Sequence, residues 1–243
     1  MRCKIADLII DVPAAGGLAS RCAAYLCDGT ADADIIIRAE RYRYDRYPPS
    51  WTEDMVSYME SAYQFYRELV LFDGLFLHAS AVVLDGRAYL FSGHSGAGKS
   101  THTRLWQQLW PDARVINDDK PALRRMDGRW IVYGTPWCGK DGINQNDHAP
   151  LAGICYLKKA SHNQIRRLSS RDAMERIFAQ TIYRYPDKQH LLKLFDLTEM
   201  LLREIPIYEM ENLPVTDAAR LSYNAMYLGA EENGLGRSIP ILF

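Results

Sequence analysis

The sequence predicts an α/β protein whose mixed sheet carries antiparallel hairpins around a glycine-rich loop. Three observations carry this. Apolar runs of strand character alternate with amphipathic stretches of helical period. Two Asp-Gly pairs, Asp85–Gly86 and Asp127–Gly128, each separate two apolar runs, as tight hairpin turns do. Between them "SGHSGAGKST", Ser92–Thr101, joins a strand pattern to a helical one.

Taken in order, residues 1–50 read as short strands broken by turns: "CKIADLII", a Gly/Ala/Ser-rich stretch, then "ADIIIRAERYRY". The basic, aromatic "RAERYRYDR" (Arg38–Arg46) reads as a strand with one exposed face, and the acids inside it weaken a nucleic-acid patch. Ser50 or Thr52 can cap a helix from about Glu53 to Leu71. Met55, Met59, Tyr63, Tyr66 and Val70 recur there at helical spacing and form the expected core stripe. "LFLHASAVVLDGRAYLFSG" reads as strand, turn, strand, followed by the helix "KSTHTRLWQQLW", Lys99–Trp110. "ARVINDDK" is a short buried strand ending in two acids, and "PALRRMDGRWIVYGTP" a second hairpin. After the polar loop "WCGKDGINQNDHAP" come a strand, "LAGICYLKKA", and its partner, "NQIRRLS". Ser169 with Asp172 suggests a capping box for a helix through about Tyr183. "DKQHLLKLFDLTEMLLREI" is a helix, "PIYEMEN" a strand, and "TDAARLSYNAMYLG" a last helix stopped by Gly229. Residues 1–72 form N-terminal strands and a helix packed on the core. Residues 73–243 form the main domain, the two making one compact unit.

Charge and cysteine content narrow the function. Among 243 residues, 29 basic and 30 acidic side chains leave a net charge of −1, which is not the footprint of a nucleic-acid binder. Five cysteines without a C-x-x-C pair, and six histidines without metal-ligand spacing, point to a reduced, cytoplasmic protein. "MRCKIADLII" is too short an apolar run for a signal peptide, and no stretch is long enough to span a bilayer. The sequence leaves self-association open.

The chemistry concentrates in the loop. Gly93, Gly98, Lys99 and Ser100 fit G-x-x-x-x-G-K-[ST], with Gly96 as a further glycine. Glycines let successive backbone N–H groups point inward at an anion, and the following helix aims its N-terminal dipole the same way. Gly93, His94, Ser95, Gly96, Ala97, Gly98, Lys99, Ser100 and Thr101 are therefore expected to cradle nucleotide phosphates. In that setting Lys99 reaches the β- and γ-phosphates, and the Ser100 hydroxyl ligates Mg²⁺. Asp118 and Asp119, at the end of the next strand, emerge where a metal or an attacking hydroxyl must sit. We read Asp118 as general base and Asp119 as metal ligand, with the reverse order open. Lys140 and Trp137 lie in a loop that could close over the site. His102 and Arg104 serve packing or surface, and His94 could touch nucleotide.

The ordered set "FLHASAV", "DG", "SGHSGAGKST", "NDD", "GTPWCGK" and "PLAGICYL" resembles the catalytic domain of the HPr kinase/phosphorylase family, especially its small stand-alone relatives. The resemblance covers roughly Leu75 to Ser169. It implies a P-loop kinase fold of the type shared with phosphoenolpyruvate carboxykinase, with ATP and Mg²⁺ as donor. It also places His78 on the family's histidine, Asp118 on its general base and Asp119 on the acid beside the metal. Thr101 stands where the family has an acid, "TPWCGKDG" replaces its arginine-bearing loop, and the first 70 residues differ from its separate N-terminal domain. HPr as acceptor and phosphorylase activity are therefore not carried over.

Three functions follow as expectations. The first is a kinase acting on a hydroxyl, such as serine on a peptide or protein. The others are a kinase for a free amino acid or sugar-like molecule, and a nucleotide-dependent regulatory module with little turnover.

Overall fold

The computed structural model describes residues 1–14, 16–29, 32–181 and 187–235. At the N-terminus β1 (Arg2–Ile5) and β2 (Leu8–Asp11) form an antiparallel hairpin, and after the short helix α1 (Gly16–Arg21) β3 (Ile35–Ile36) joins β2 in parallel. The strand expected through Arg46 stops there. Ala39–Arg41 and Tyr44–Arg46 are 3₁₀ turns instead. The backbone of Arg38 pairs with a side chain rather than a strand: its N–H donates to Gln64 Oε1 (2.9 Å) and its carbonyl accepts from Gln64 Nε2 (3.0 Å).

Gln64 belongs to α2 (Glu53–Leu69), whose first turn is capped by Thr52, its hydroxyl accepting the Met55 N–H at 3.2 Å. The expected stripe is kept in part: Tyr66 and Val70 are buried and Met59 and Tyr63 half-buried, while Met55 is exposed. Phe65, Tyr66 and Leu69 are buried in its second half, whereas Met55 is 47% exposed. Val56 in the first turn is buried as well.

The main sheet is built from β4 (Gly74–Phe76), β5 (Ala79–Leu84), β6 (Arg87–Ser92), β7 (Arg114–Asn117), β8 (Ala122–Met126), β9 (Arg129–Tyr133), β10 (His148–Lys159), β11 (Gln164–Arg167) and β12 (Ile207–Asn212). Its helices are α3 (Lys99–Leu109), α4 (Ser170–Gln180), α5 (Lys188–Glu204) and α6 (Thr216–Glu232). The strands run in the order β4-β8-β9-β10-β6-β5-β7, with β12 beside β10 and β11 beside β12. The sheet is mixed, as expected. The β6 strand has β5 antiparallel on one side and β10 parallel on the other. Both Asp-Gly turns put two successive residues at positive φ, 52° and 72° at Asp85–Gly86 and 48° and 78° at Asp127–Gly128. That is the type I′ geometry suited to the twist of the flanking strands.

Three further expectations change. The run Leu75–Leu84 is two strands: β4 pairs with β8, and β5 pairs with β6 and β7. Between them the His78 N–H leaves the sheet to donate to the Gln180 carbonyl at 2.8 Å. The β11 strand pairs with β12, not β10, because β12 already lies parallel against β10. Gly229 sits inside α6, where a Cβ would come within 2.0 Å of the Tyr208 hydroxyl; the chain turns instead at Asn233–Gly234 (Gly234 φ 71°). The Ser169 cap is present, accepting the Asp172 N–H at 3.2 Å, and the residues expected to end that helix fall partly outside those described.

Apolar clusters lie on both faces of the sheet. Ala88 and Leu90 of β6 pack with Ile177 of α4 and Leu194, Leu197 and Leu201 of α5. Tyr89 and Phe91, pointing the other way, pack with Leu105 and Trp106 of α3 and Met226 of α6. A third cluster joins the N-terminal strands and α2 to Ala122, Tyr133 and Trp137. The five cysteines are free. Among the described residues, no helix is long and apolar enough to cross a membrane.

Candidate active site

The glycine loop leaves β6 at Gly93 and enters α3 at Lys99. Gly93 (φ 142°) packs so closely on β10 that a Cβ would lie 2.9 Å from the Leu157 carbonyl oxygen. Gly96 and Gly98 also have positive φ (77° and 102°) but face open space. The N-cap of α3 is Gly98, so no side chain caps the first turn and its N–H groups are left for another acceptor. The helix is held from behind. The buried His102 Nε2 and the Trp106 Nε1 both meet Ser222 Oγ of α6, at 2.9 and 3.1 Å. Burial lowers the His102 pKa to about 4.

The opposite wall is the turn after β7, and several groups hold it. Asn117 Oδ1 accepts the N–H groups of Asp119 (2.9 Å) and Lys120 (2.6 Å), while its amide donates to the carbonyls of Thr135 and Trp137 (both 3.1 Å). Ser80 Oγ donates to the Asp118 carbonyl at 2.9 Å, and the Ala79 N–H donates to the Asp119 carbonyl at 3.2 Å. β7 ends at Asn117, so the two acids lie on a turn and both line the same cleft.

The environments of the two acids drive their pKa values apart. Asp118 is 8% exposed, and its Oδ1 accepts the Gly139 N–H at 2.5 Å. Burial, with the Asp119 charge adding to it, raises its pKa even against that hydrogen bond. Burial pushes Asp119 the same way, but His78 and Lys120 outweigh it and bring its pKa down to about 2. His78 Nε2 lies 2.9 Å from Asp119 Oδ1, its Nδ1 lies 3.0 Å from Gln180 Oε1, and Lys120 Nζ pairs with Asp119 Oδ2.

Between the two walls is a cleft of about 460 Å³. Of the residues expected at a phosphate site, Ser95, Gly96, Gly98, Lys99, Ser100 and Thr101 line it, facing His78, Asp118 and Asp119. Gly93, His94 and Ala97 do not: Gly93 is buried on β10, Ala97 packs against an apolar cluster, and His94 is exposed outside the lining. Lys99 Nζ donates to the Gly93 carbonyl at 3.1 Å, and burial lowers its pKa while Asp119 opposes that shift. Trp137 does not reach the cleft. It is fully buried, stacked on Phe65 at 4.8 Å. Its neighbours Gly139, Lys140 and Asp141 do line it, as does Arg104, 3.3 Å from Asp141.

Sequence reasoning missed Gly139 and Lys159. Gly139 is a glycine because a Cβ would lie 2.9 Å from Asp118 Oδ2. Lys159, the last residue of β10, reaches the cleft only because β10 runs parallel to β6, which no local pattern announces. Among the described residues, no group of three or more His, Cys, Asp or Glu side chains could hold a metal by itself. One carboxylate plus one hydroxyl suits a cation that keeps water and phosphate oxygens as its other ligands, as Mg²⁺ does.

Fold and site define a mixed α/β protein with a glycine loop facing an acid pair across a cationic cleft. The chain belongs to the family described as SynChlorMet cassette protein ScmC, whose model matches residues 47–212. Among curated proteins none matches it. Among solved structures it is similar to the Hpr(Ser) kinase/phosphatase from Coxiella burnetii, with 12% identity and a TM-score of 0.36 over 66% of this chain and 99% of that one.

Proposed function

We propose that this chain is an ATP-dependent phosphotransferase that moves the γ-phosphoryl group to a hydroxyl. The observation that carries the reading is the pair Asp118–Asp119, two neighbouring carboxylates with oppositely shifted pKa values, opening on the same cleft as the glycine loop and Lys99. Oppositely tuned acids divide roles: one handles a proton, the other stays charged.

The loop amides from Ser95 to Ser100 and the N-terminus of α3 hold the phosphates, and Lys99 moves from the Gly93 carbonyl to a phosphate oxygen. Ser100 and Asp119 would hold Mg²⁺, Asp119 through the oxygen that Lys120 now occupies. Bound Mg²⁺ neutralises charge on the phosphate oxygens. Asp118 accepts the proton of the attacking hydroxyl. Its raised pKa makes it a better base than an ordinary aspartate, and the Gly139 N–H fixes its orientation. His78 holds Asp119 in place from the Gln180 side. Lys140 and Lys159 add positive charge at the rim. A peptide or protein hydroxyl is the acceptor we favour.

Calorimetric titration of ATP with and without Mg²⁺ tests the reading. Binding that needs Mg²⁺ and disappears in Lys99→Ala is expected; nucleotide binding indifferent to both removes the site from this cleft.

A further inference from the structure

The acid pair and Lys159 line one cleft from opposite sides of the glycine loop. In the sheet β7 lies two strands from β6, by way of β5, which is about 10 Å. On the other side β10 lies one strand from β6, about 5 Å. β10 runs parallel to β6, and β6 and β7 both run antiparallel to β5, so all three end at the same edge. Asp118 and Asp119 follow β7, the loop follows β6, and Lys159 ends β10. Tyr156 is level with Ser92, the last residue of β6. Lys159 therefore lies about 10 Å further along, beside the loop rather than beneath it. Strand alternation puts Lys159 on the face of Leu157, which packs with α3, and Lys158 on the face of Tyr156. Lys158 is engaged there, 2.8 Å from Glu209. At the cleft Lys120 is held by Asp119, and Arg104 lies 3.3 Å from Asp141. Among the described residues the Lys159 amine has neither an ion pair nor a hydrogen bond.

In-line transfer sets the direction of the nucleotide. The attacking and leaving oxygens lie on opposite sides of the γ-phosphorus. Asp118, held by the Gly139 N–H at 2.5 Å, marks the attacking side, and Lys140, the residue after Gly139, belongs to that side too. The leaving oxygen then faces away from β7, toward the loop and β10. As the acceptor oxygen bonds to phosphorus, the bond from phosphorus to the β–γ bridging oxygen breaks. The hydroxyl proton passes to Asp118, and the electron pair leaves with ADP, adding negative charge to its β-phosphate.

We infer that Lys159 is a further catalytic residue, whose amine meets the β-phosphate and neutralises the charge that builds on the leaving ADP. The inference rests on the phosphotransferase reading and fixes the nucleotide's direction, with the γ-phosphate toward the acids and the α-phosphate toward β10.

The test compares wild type, Lys159→Met and Lys158→Met, each folded by circular dichroism; Lys158 and Lys159 are both exposed. Calorimetry with ADP·Mg²⁺ reads contact with the β-phosphate. Single-turnover transfer from saturating ATP·Mg²⁺ to serine-containing peptides, at varied peptide concentration, separates the rate from acceptor binding. Lys159→Met should weaken ADP about ten-fold, as losing a charged hydrogen-bond donor does. It should slow transfer by about 10²-fold, because the contact matters most when the charge has developed. The peptide concentration giving half-maximal rate should stay the same, and Lys158→Met should match wild type. Unchanged ADP affinity, a loss shared by Lys158→Met, or an effect confined to the half-maximal peptide concentration overturns the inference and leaves the phosphotransferase reading standing. Weakened ADP binding with undiminished transfer makes Lys159 a binding contact and overturns its catalytic role. Wild type that binds no ADP, or binds it and transfers nothing, overturns the phosphotransferase reading and the leaving-group role with it.

Discussion

Replacing Asp118 by asparagine separates chemistry from binding. The amide is nearly isosteric, and its oxygen can still accept the Gly139 N–H that Asp118 now holds at 2.5 Å. The loop should therefore keep its place. The folded pKa of Asp118 is raised, so the charged form is disfavoured by folding, and at neutral pH the carboxylate subtracts from stability. The variant is expected to be at least as stable as wild type. Transfer should nonetheless fall by about 10²–10⁴-fold, the usual scale for losing acid–base assistance. That corresponds to about 3–5 kcal/mol of barrier. The assay compares single-turnover transfer from ATP·Mg²⁺ and calorimetric nucleotide affinity in both proteins. Equal nucleotide affinity with the stated loss of rate is expected. Undiminished transfer would refute the assignment of Asp118 as base, and a lost affinity would show that it contacts nucleotide or metal instead.

Other outcomes follow from the same geometry. Asp119→Asn should raise the Mg²⁺ concentration needed for half-maximal activity, since a neutral amide is a poorer ligand for a hard cation; a magnesium titration reads this directly. Lys120→Met should lower that concentration, because Lys120 occupies Asp119 Oδ2; an unchanged requirement would argue against Asp119 as ligand. Stability should fall in two steps on acidification. The folded pKa of His102 is about 4, below its ordinary 6.5, so the unfolded chain takes up the extra proton between those values and stability drops across that window. The folded pKa of Asp119 is about 2, below its ordinary 3.8, so its contribution of roughly 2 kcal/mol is present above 3.8 and lost between 3.8 and 2. Urea titrations across pH should show both limbs, with the lower one reduced in Asp119→Asn. Glu209, 6% exposed and meeting Lys158, Arg166 and Arg176 at 2.7–2.8 Å, should cost about 3 kcal/mol when changed to Gln, the lower end for breaking a buried pair because its partners remain partly in water. Chemical denaturation checks it.

Much of this architecture was legible wherever one residue decides the local backbone. Asp-Gly pairs demanded two successive positive φ values and marked both hairpins. Thr52 and Ser169 marked helix starts through their own hydroxyls. The strand–loop–helix around Gly93–Ser100 was readable for the same reason. What was hidden depended on partners distant in sequence. Gln64 captures the Arg38 backbone and ends a strand that composition alone would extend. Gly229 is a glycine because of Tyr208, not because a helix stops. Trp137 looked like a loop residue near the site, yet stacking on Phe65 buries it. The acid pair could be located from its spacing, but the contrast between its members comes from Gly139 on one side and His78 with Lys120 on the other. None of those contacts leaves a local pattern. Lys159 needed the parallel pairing of β10 with β6 before it could be seen at all.

The most direct test of the central claim follows the γ-phosphate itself. Purified protein, ATP carrying a γ-label and Mg²⁺ are incubated with serine-containing peptides and, separately, with free serine, and products are read by mass spectrometry. Label on a peptide serine, absent in Lys99→Ala and strongly reduced in Asp118→Asn, is the expected result. Protein that binds ATP·Mg²⁺ but leaves the label on the nucleotide, with neither transfer nor hydrolysis across the panel, would contradict it and mark the chain as a nucleotide-responsive module.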